Sequence, residues 1–187
     1  MIQTLLLVAL GGAAGSVLRH LAVMAVGAPL ADLPAPAAPM SFSAMAAGTG
    51  DEIWLSGDNG IQLRNVADGR IVKHLQRDRA KPWGLAANNV VAVLRDRSGV
   101  MWAGSYGGGL QRSSPGAGLW VRRGEGGADH VLAEGDTRSL FQLRSGEIWA
   151  GMSDRGVAVL DLQLRLLAQI RPEPGRPGAF AGGTVGA

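Results

Sequence analysis

From residue 41 onward, apolar and polar positions alternate in runs of four to seven residues, and the runs are separated by Gly, Asp, Asn, Ser and Pro. A period of two is the mark of a strand with one face buried, and turn-forming residues between such runs mark hairpins. The middle of the chain is clearest, with predicted strands at 90–94, 100–105, 110–113 and 119–123. A matching set precedes it at 41–46, 52–57, 61–66 and 70–76, and a third comes after it at 139–143, 147–152, 156–161 and 164–170. Asp and Gly in the connections (Arg95-Asp-Arg-Ser-Gly99, Tyr106-Gly-Gly-Gly109, Ala67-Asp68-Gly69) suit the left-handed backbone of tight turns.

The first thirty residues have a different pattern. Residues 2–18 carry no charge, Arg19-His20 come next, and a second apolar run extends over 21–30. Residues 1–27 are predicted to form one apolar helix, long enough to cross a bilayer with some tilt. A cleaved signal segment and a buried soluble helix compete with that reading. The positive charge comes after the apolar run instead of before it, whereas Ala35-Pro-Ala37 has small residues at cleavage-like spacing. Residues 28–40 hold four prolines, a density that excludes helix and predicts an extended linker.

The three strand sets repeat one another. Trp54, Trp102 and Trp149 lie 48 and then 47 residues apart, each on the second predicted strand of its set. A period in the forties, with one Trp and a Gly-rich turn per repeat, predicts the blades of a β-propeller. The expected fold is therefore all-β: a partial propeller of about three four-stranded antiparallel blades (41–89, 90–136 and 137–183), preceded by the apolar helix. The three indoles are expected to pack between adjacent blades. Gly104 and Gly151, two positions beyond their tryptophans, are expected where a strand approaches a neighbour closely. A further period would place the next first strand at Thr184, three residues before the end at Ala187. Since closed propellers have four or more blades, the sequence is expected to be a fragment of a longer propeller, with closure by oligomerisation as the lesser alternative because nothing completes the fourth blade.

Two resemblances attach to these residues. Gly11-Gly12-Ala-Ala-Gly15, with Arg19-His20 after it, resembles the first transmembrane helix of bacterial fluoride channels, over residues 1–27. The pore and sodium-site residues of that family lie on later helices, and no later apolar stretch here matches one, so no channel residue is carried over. Residues 84–110, with an aliphatic strand, an Asp-x-x-Gly99 turn, Trp102-Ala-Gly-Ser and Gly109-Leu110, resemble the two-component-regulator propeller repeat. The third repeat has Met152 where the family usually has Thr, and the first has Ser56 in place of glycine. This resemblance spans residues 40–187. It implies an extracytoplasmic, often glycan-sensing propeller of a histidine kinase or a cyclic-dinucleotide enzyme, with the output domain absent from these 187 residues.

Composition narrows the chemistry. The net charge of +3 comes almost wholly from arginines scattered singly, without a basic run or basic helix, so nucleic acid is not expected as a partner. With no cysteine, disulfides, thiolate metal sites and a Cys nucleophile are excluded. His20, His74 and His130 lack ligand spacing; His74 is expected on a solvated outer strand. Gly107-Gly108-Gly109 leads into a strand, not a helix, and so predicts a hairpin turn, not a phosphate cradle. Asp58-Asn59-Gly60 lacks the distal glutamate of a calcium loop. No catalytic residue, cofactor site or metal site is predicted, and the chain is not expected to be an enzyme.

The candidate ligand residues are Arg79, Lys81 and Trp83, in the connection 76–88 between the first two strand sets. An indole beside basic side chains suits a sugar or an anion, although a plain surface loop has the same composition. The expected function is a non-catalytic propeller sensor, binding a small molecule or glycan and held at the membrane by residues 1–27 with its blades in the periplasm. One feature opposes that location: Arg19, after the apolar run, favours the cytoplasmic side for the blades. The alternative is a truncated or chimeric membrane protein bearing the first helix of a fluoride channel.

Overall fold

Hydrogen bonds between consecutive strands gather the chain into three separate antiparallel sheets, each a meander of four strands. The structure is a computed structural model and describes residues 40–81, 83–113, 120–122 and 135–177. The predicted helix at 1–27 and most of the proline-rich linker lie outside the described residues. The first sheet comprises β1 (Phe42–Ala47), β2 (Glu52–Gly57), β3 (Gly60–Asn65) and β4 (Ile71–Leu75). The second comprises β5 (Val90–Arg95), β6 (Met101–Ser105), β7 (Gly109–Ser113) and β8 (Trp120–Arg122). The third comprises β9 (Thr137–Gln142), β10 (Ile148–Met152), β11 (Gly156–Leu160) and β12 (Leu166–Ile170). All twelve predicted strands are present, shifted by a residue or two at their ends.

The sheets are arranged like blades: β1 lies against β5 and β5 against β9, so the first strand of each sheet meets the first strand of the next. Two apolar layers fill the gaps between them. Trp54, Ala44, Ala46 and Ile61 of the first blade pack with Val93, Met101, Ala103 and Trp120 of the second. On the other side of the second blade, Trp102 and Leu110 pack with Ile148, Ala150, Met152 and Leu160 of the third. Strand alternation explains why β6 is buried throughout: Met101 and Ala103 serve the first layer, while Trp102 and Gly104 face the second. Full burial of such a side chain contributes about 1.5–3 kcal/mol, so these layers, more than the strand pairing, hold the blades together.

Close approach explains two glycines. A Cβ on Gly104 would lie 2.7 Å from Thr137 Cγ2 and 2.9 Å from the Thr137 carbonyl, so only glycine lets β6 meet β9. In the β6–β7 turn, Gly107 and Gly109 have φ of 66° and 63°, and a Cβ on Gly108 would sit 2.5 Å from Ser105 Oγ.

Leu164 corrects one prediction. The alternation pattern puts it inside the last strand, yet it occupies the β11–β12 turn with φ 66° and only 2% of its surface exposed. The Asp161 side chain accepts hydrogen bonds from the amides of Gln163 (2.9 Å) and Arg165 (2.8 Å), which fixes the turn. Burial of Leu164 in the layer between the second and third blades then holds a leucine where glycine would be unstrained.

Candidate ligand-binding end of the blades

Antiparallel meanders place alternate connections at opposite ends. The β2–β3, β6–β7 and β10–β11 turns share one end with the long connections that lead from one blade to the next. Hydrogen bonds tie this end together. Gly60 N donates to Asn88 O (2.7 Å), Tyr106 N to Asn89 O (2.9 Å) and Ser153 N to Asp136 O (3.1 Å). The Asn88 side chain accepts from Arg77 N (2.6 Å), and the Asp136 carboxylate accepts from Gly107 N (2.9 Å). Each turn is therefore held by residues that immediately precede a first strand: the next blade's at Gly60 and Gly107, and its own blade's at Tyr106 and Ser153.

The connection between β4 and β5 has two parts. Its second part is fixed to the second blade: Ala86 N donates to Gln111 Oε1 (2.7 Å), and Gln111 Nε2 donates to Gly84 O (3.2 Å). Leu85 and Ala86 are buried there, and Gln111 is 1% exposed. The first part is an exposed turn around Asp78, whose side chain accepts from Ala80 N (3.0 Å) and pairs with Lys81 Nζ (3.3 Å). The hydrogen bond from Ala80 N and that from Lys81 hold the Asp78 carboxyl below its ordinary value.

Arg79, Lys81 and Trp83 all lie on this exposed stretch. Lys81 is engaged by Asp78, and no hydrogen bond, ion pair or ring contact joins the three residues to one another. Trp83 is 52% exposed, although its carbonyl accepts from Trp120 N (2.8 Å), so the backbone is anchored beneath a largely free indole. Among the described residues Trp83 is the most exposed tryptophan, the others being buried or half-buried packing groups.

A second polar cluster at the same end is not foreshadowed by the sequence. The Arg138 guanidinium lies 4.2 Å from the ring centroid of Tyr106, and its Nε donates to Ser153 Oγ (2.8 Å). Tyr106 is in the β6–β7 turn and Arg138 begins β9, so the pair bridges two blades. Its one visible signal is that Tyr106 is the chain's single tyrosine, placed in a Gly-rich turn. His74 is also corrected: it is half-buried, with Nε2 at 2.8 Å from Asn59 O, because the β2–β3 turn folds over the end of β4.

At the opposite end the polar groups serve structure. Asp96, 4% exposed, accepts from Ser98 N (2.9 Å), Ser98 Oγ (2.6 Å), Val100 N (3.0 Å) and Trp102 Nε1 (2.8 Å). Burial pushes its carboxyl up, but these hydrogen bonds outweigh burial and hold it below the ordinary value. Arg95 Nη1 donates to Gly48 O (2.9 Å), and Arg97 N donates to Gln142 Oε1 (2.9 Å), tying each blade to its neighbour. Among the described residues, no group of three or more His, Asp and Glu side chains is placed to hold a metal ion.

Known proteins share this repeat and this arrangement of sheets. The profile of the family described as two component regulator propeller matches residues 84–107, which run from the anchored part of the β4–β5 connection through β6 to the Tyr106 turn. No curated protein matches the chain. In fold it is similar to the extracellular domain of BT3049 from B. thetaiotaomicron, named as a hybrid two component system, at 19% identity and TM-score 0.59, covering 77% of this chain. It is similar to the extracellular domain of BT4673 from the same organism, named as a one component system, at 18% identity and TM-score 0.55, covering 75%. The computationally designed protein Ika4 is 14% identical with TM-score 0.53, and 84% of each chain is covered. This chain spans 18% of the length of each of the two B. thetaiotaomicron chains. At these identities the likeness establishes the fold. The fluoride-channel resemblance of residues 1–27 finds no support in the comparisons.

Proposed function

We propose that the chain is a non-catalytic, ligand-binding set of blades from a bacterial sensor of the two-component or cyclic-dinucleotide type. Residues 1–27 would hold it at the membrane with the blades in the periplasm. The observation that carries this reading is the family match at residues 84–107, on a fold shared with extracellular domains of named two component and one component systems. The ligand would meet the end that carries Trp83, with its exposed indole, and the basic side chains of Arg79 and Lys81. A sugar stacks on an indole face through its C–H groups while a cation meets its acidic substituents, so an acidic oligosaccharide suits this chemistry.

The test is titration with an oligosaccharide of uronic acid or sulfated units, monitored by tryptophan emission. Saturable quenching is expected, with affinity reduced about tenfold by Trp83→Ala, equivalent to about 1.4 kcal/mol. Lys81→Ala should have a smaller effect that fades at high salt, because its charge is exposed and shared with Asp78. Binding unchanged in Trp83→Ala would remove this loop from the site.

A further inference from the structure

Every blade enters its first strand through the same irregularity. β1, β5 and β9 each carry a bulge near the start, which leaves Ser43, Val91 and Arg138 without a partner on the second strand. The backbone around the three bulges also repeats. Asp58 N donates to Ser41 O (3.2 Å), Tyr106 N to Asn89 O (2.9 Å) and Ser153 N to Asp136 O (3.1 Å), so the turn after each second strand is tied to the residue two places before the bulge. A bulge takes its side chain out of the strand's alternation, and bulges are frequent beside active sites because they re-aim a side chain. Only the side chain differs between the blades: serine and valine in the first two, arginine in the third.

Arg138 uses that position to reach the neighbouring blade. Its guanidinium stacks on Tyr106, 4.2 Å from the ring centroid, and its Nε donates to Ser153 Oγ (2.8 Å). Where the first and second blades meet, Asp58 and Val91 stand at the places of Tyr106 and Arg138, and the two blades pack without such a pair. Blade contact therefore does not require the stack. With Nε engaged and one face on the ring, the guanidinium keeps its Nη1–Nη2 edge, which has no hydrogen-bond or ion-pair partner among the described residues. The Asp136 carboxylate is turned to Gly107 N (2.9 Å), and Ser153 Oγ, accepting from Arg138, keeps its own hydrogen to donate. A planar guanidinium held in this way offers two parallel N–H donors, the geometry that matches a carboxylate. We propose that Arg138, stacked on Tyr106 and steadied by Ser153, binds the carboxylate of a sugar acid at the junction of the second and third blades, as a subsite separate from Trp83. The proposal rests on the sensor reading above for the sugar, and on the bulge and the stack for the carboxylate.

The test reads the Arg138 side chain directly. The full chain in mild detergent, isotopically labelled in its arginine side chains, is titrated with sodium glucuronate while the Arg138 Nε–Hε resonance is followed by NMR. Loss of that resonance in Arg138→Lys assigns it. A saturable shift is expected with glucuronate and not with glucose or with sodium chloride at equal ionic strength. Arg138→Lys keeps the charge but loses the fork, and glucuronate affinity read at the Ser153 amide should fall about tenfold, the loss for one charge-assisted hydrogen bond. Arg138→Gln should bind no glucuronate, with its urea midpoint close to that of the wild type. Trp83→Ala should leave the Arg138 shift in place, so that failure of the indole loop and failure of this subsite are read separately. No shift with glucuronate, a shift that glucose or salt reproduces, or loss of the shift in Trp83→Ala would each overturn the proposal. So would unchanged affinity in both Arg138 variants, and a lowered urea midpoint alongside it would make the stack a brace between blades.

Discussion

The second and third blades share a repeat but not an environment. Trp102 and Trp149 hold the same position on the second strand, yet Trp102 is fully buried and Trp149 is half-buried. Trp102 Nε1 donates to Asp96, whereas Trp149 Nε1 is buried without a hydrogen-bond partner. The acceptor is missing because the third blade has Leu143 at the position of Asp96. The turn itself is preserved: Asp96 N donates to Val100 O (2.9 Å) and Leu143 N to Glu147 O (2.9 Å), and Gly99 and Gly146 both have positive φ. Backbone geometry therefore repeats without the carboxylate. What the carboxylate adds is satisfaction of the donors inside the turn and of the indole beside it.

The largest expected difference is in truncation of the two rings. Trp102→Ala should destabilise the protein by about 3–5 kcal/mol, the range for removing a large aromatic side chain from a filled core. Trp149→Ala should cost about half as much or less, since its ring already meets solvent on one side. Urea denaturation of the two variants gives the comparison directly. Equal losses would mean that the Trp149 ring is as fully packed in solution as that of Trp102.

Removing the acceptor itself should have the next largest effect. Asp96→Asn keeps the shape but turns an amide donor toward groups that also donate, and a loss of about 2–3 kcal/mol at neutral pH is expected. The pH dependence has a definite sign. The folded state holds the Asp96 carboxyl below its ordinary value of 3.8, so its stabilisation is fully present above that pH and is lost as pH falls through the lower folded value. The stability gap between wild type and Asp96→Asn should therefore shrink below about pH 4. A gap that stays constant into acid would show that the contribution of Asp96 does not depend on its charge.

These contrasts also separate what the sequence carries from what only packing decides. Strand positions, blade count and the packing role of Trp102 are legible from alternation and period alone, because each is a local pattern repeated three times. Leu164 is not: nothing in a run of leucines marks one of them as left-handed, and the cause is the Asp161 turn together with a gap between blades that a leucine fills. The exposed Trp83 is legible as an indole among cations, but its anchoring by Trp120 comes from a contact 37 residues away. The Arg138–Tyr106 pair depends on how two blades meet at their ends, which no single repeat encodes.

The finest test of the comparison is to give the third blade what it lacks. Leu143→Asp would place a carboxylate at the position of Asp96, within a turn of the same backbone geometry, facing the amides of Ser145 and Glu147 and the indole of Trp149. Satisfying one buried donor is worth about 1 kcal/mol, and Leu143 is only half-buried, so little apolar packing opposes the gain. One local charge does oppose it: Glu147, hydrogen-bonded to the Ser145 hydroxyl and held below its ordinary value chiefly by that bond, would stand near the new carboxylate. Leu143→Asn, which offers an acceptor without charge, separates the two contributions. A rise of about 1 kcal/mol in unfolding free energy for either variant is expected, with Asn ahead at low salt and Asp recovering as salt screens Glu147. If both variants lose stability, the orphaned indole is not the weakness of the third blade, and the difference between the blades lies in the packing around the two rings.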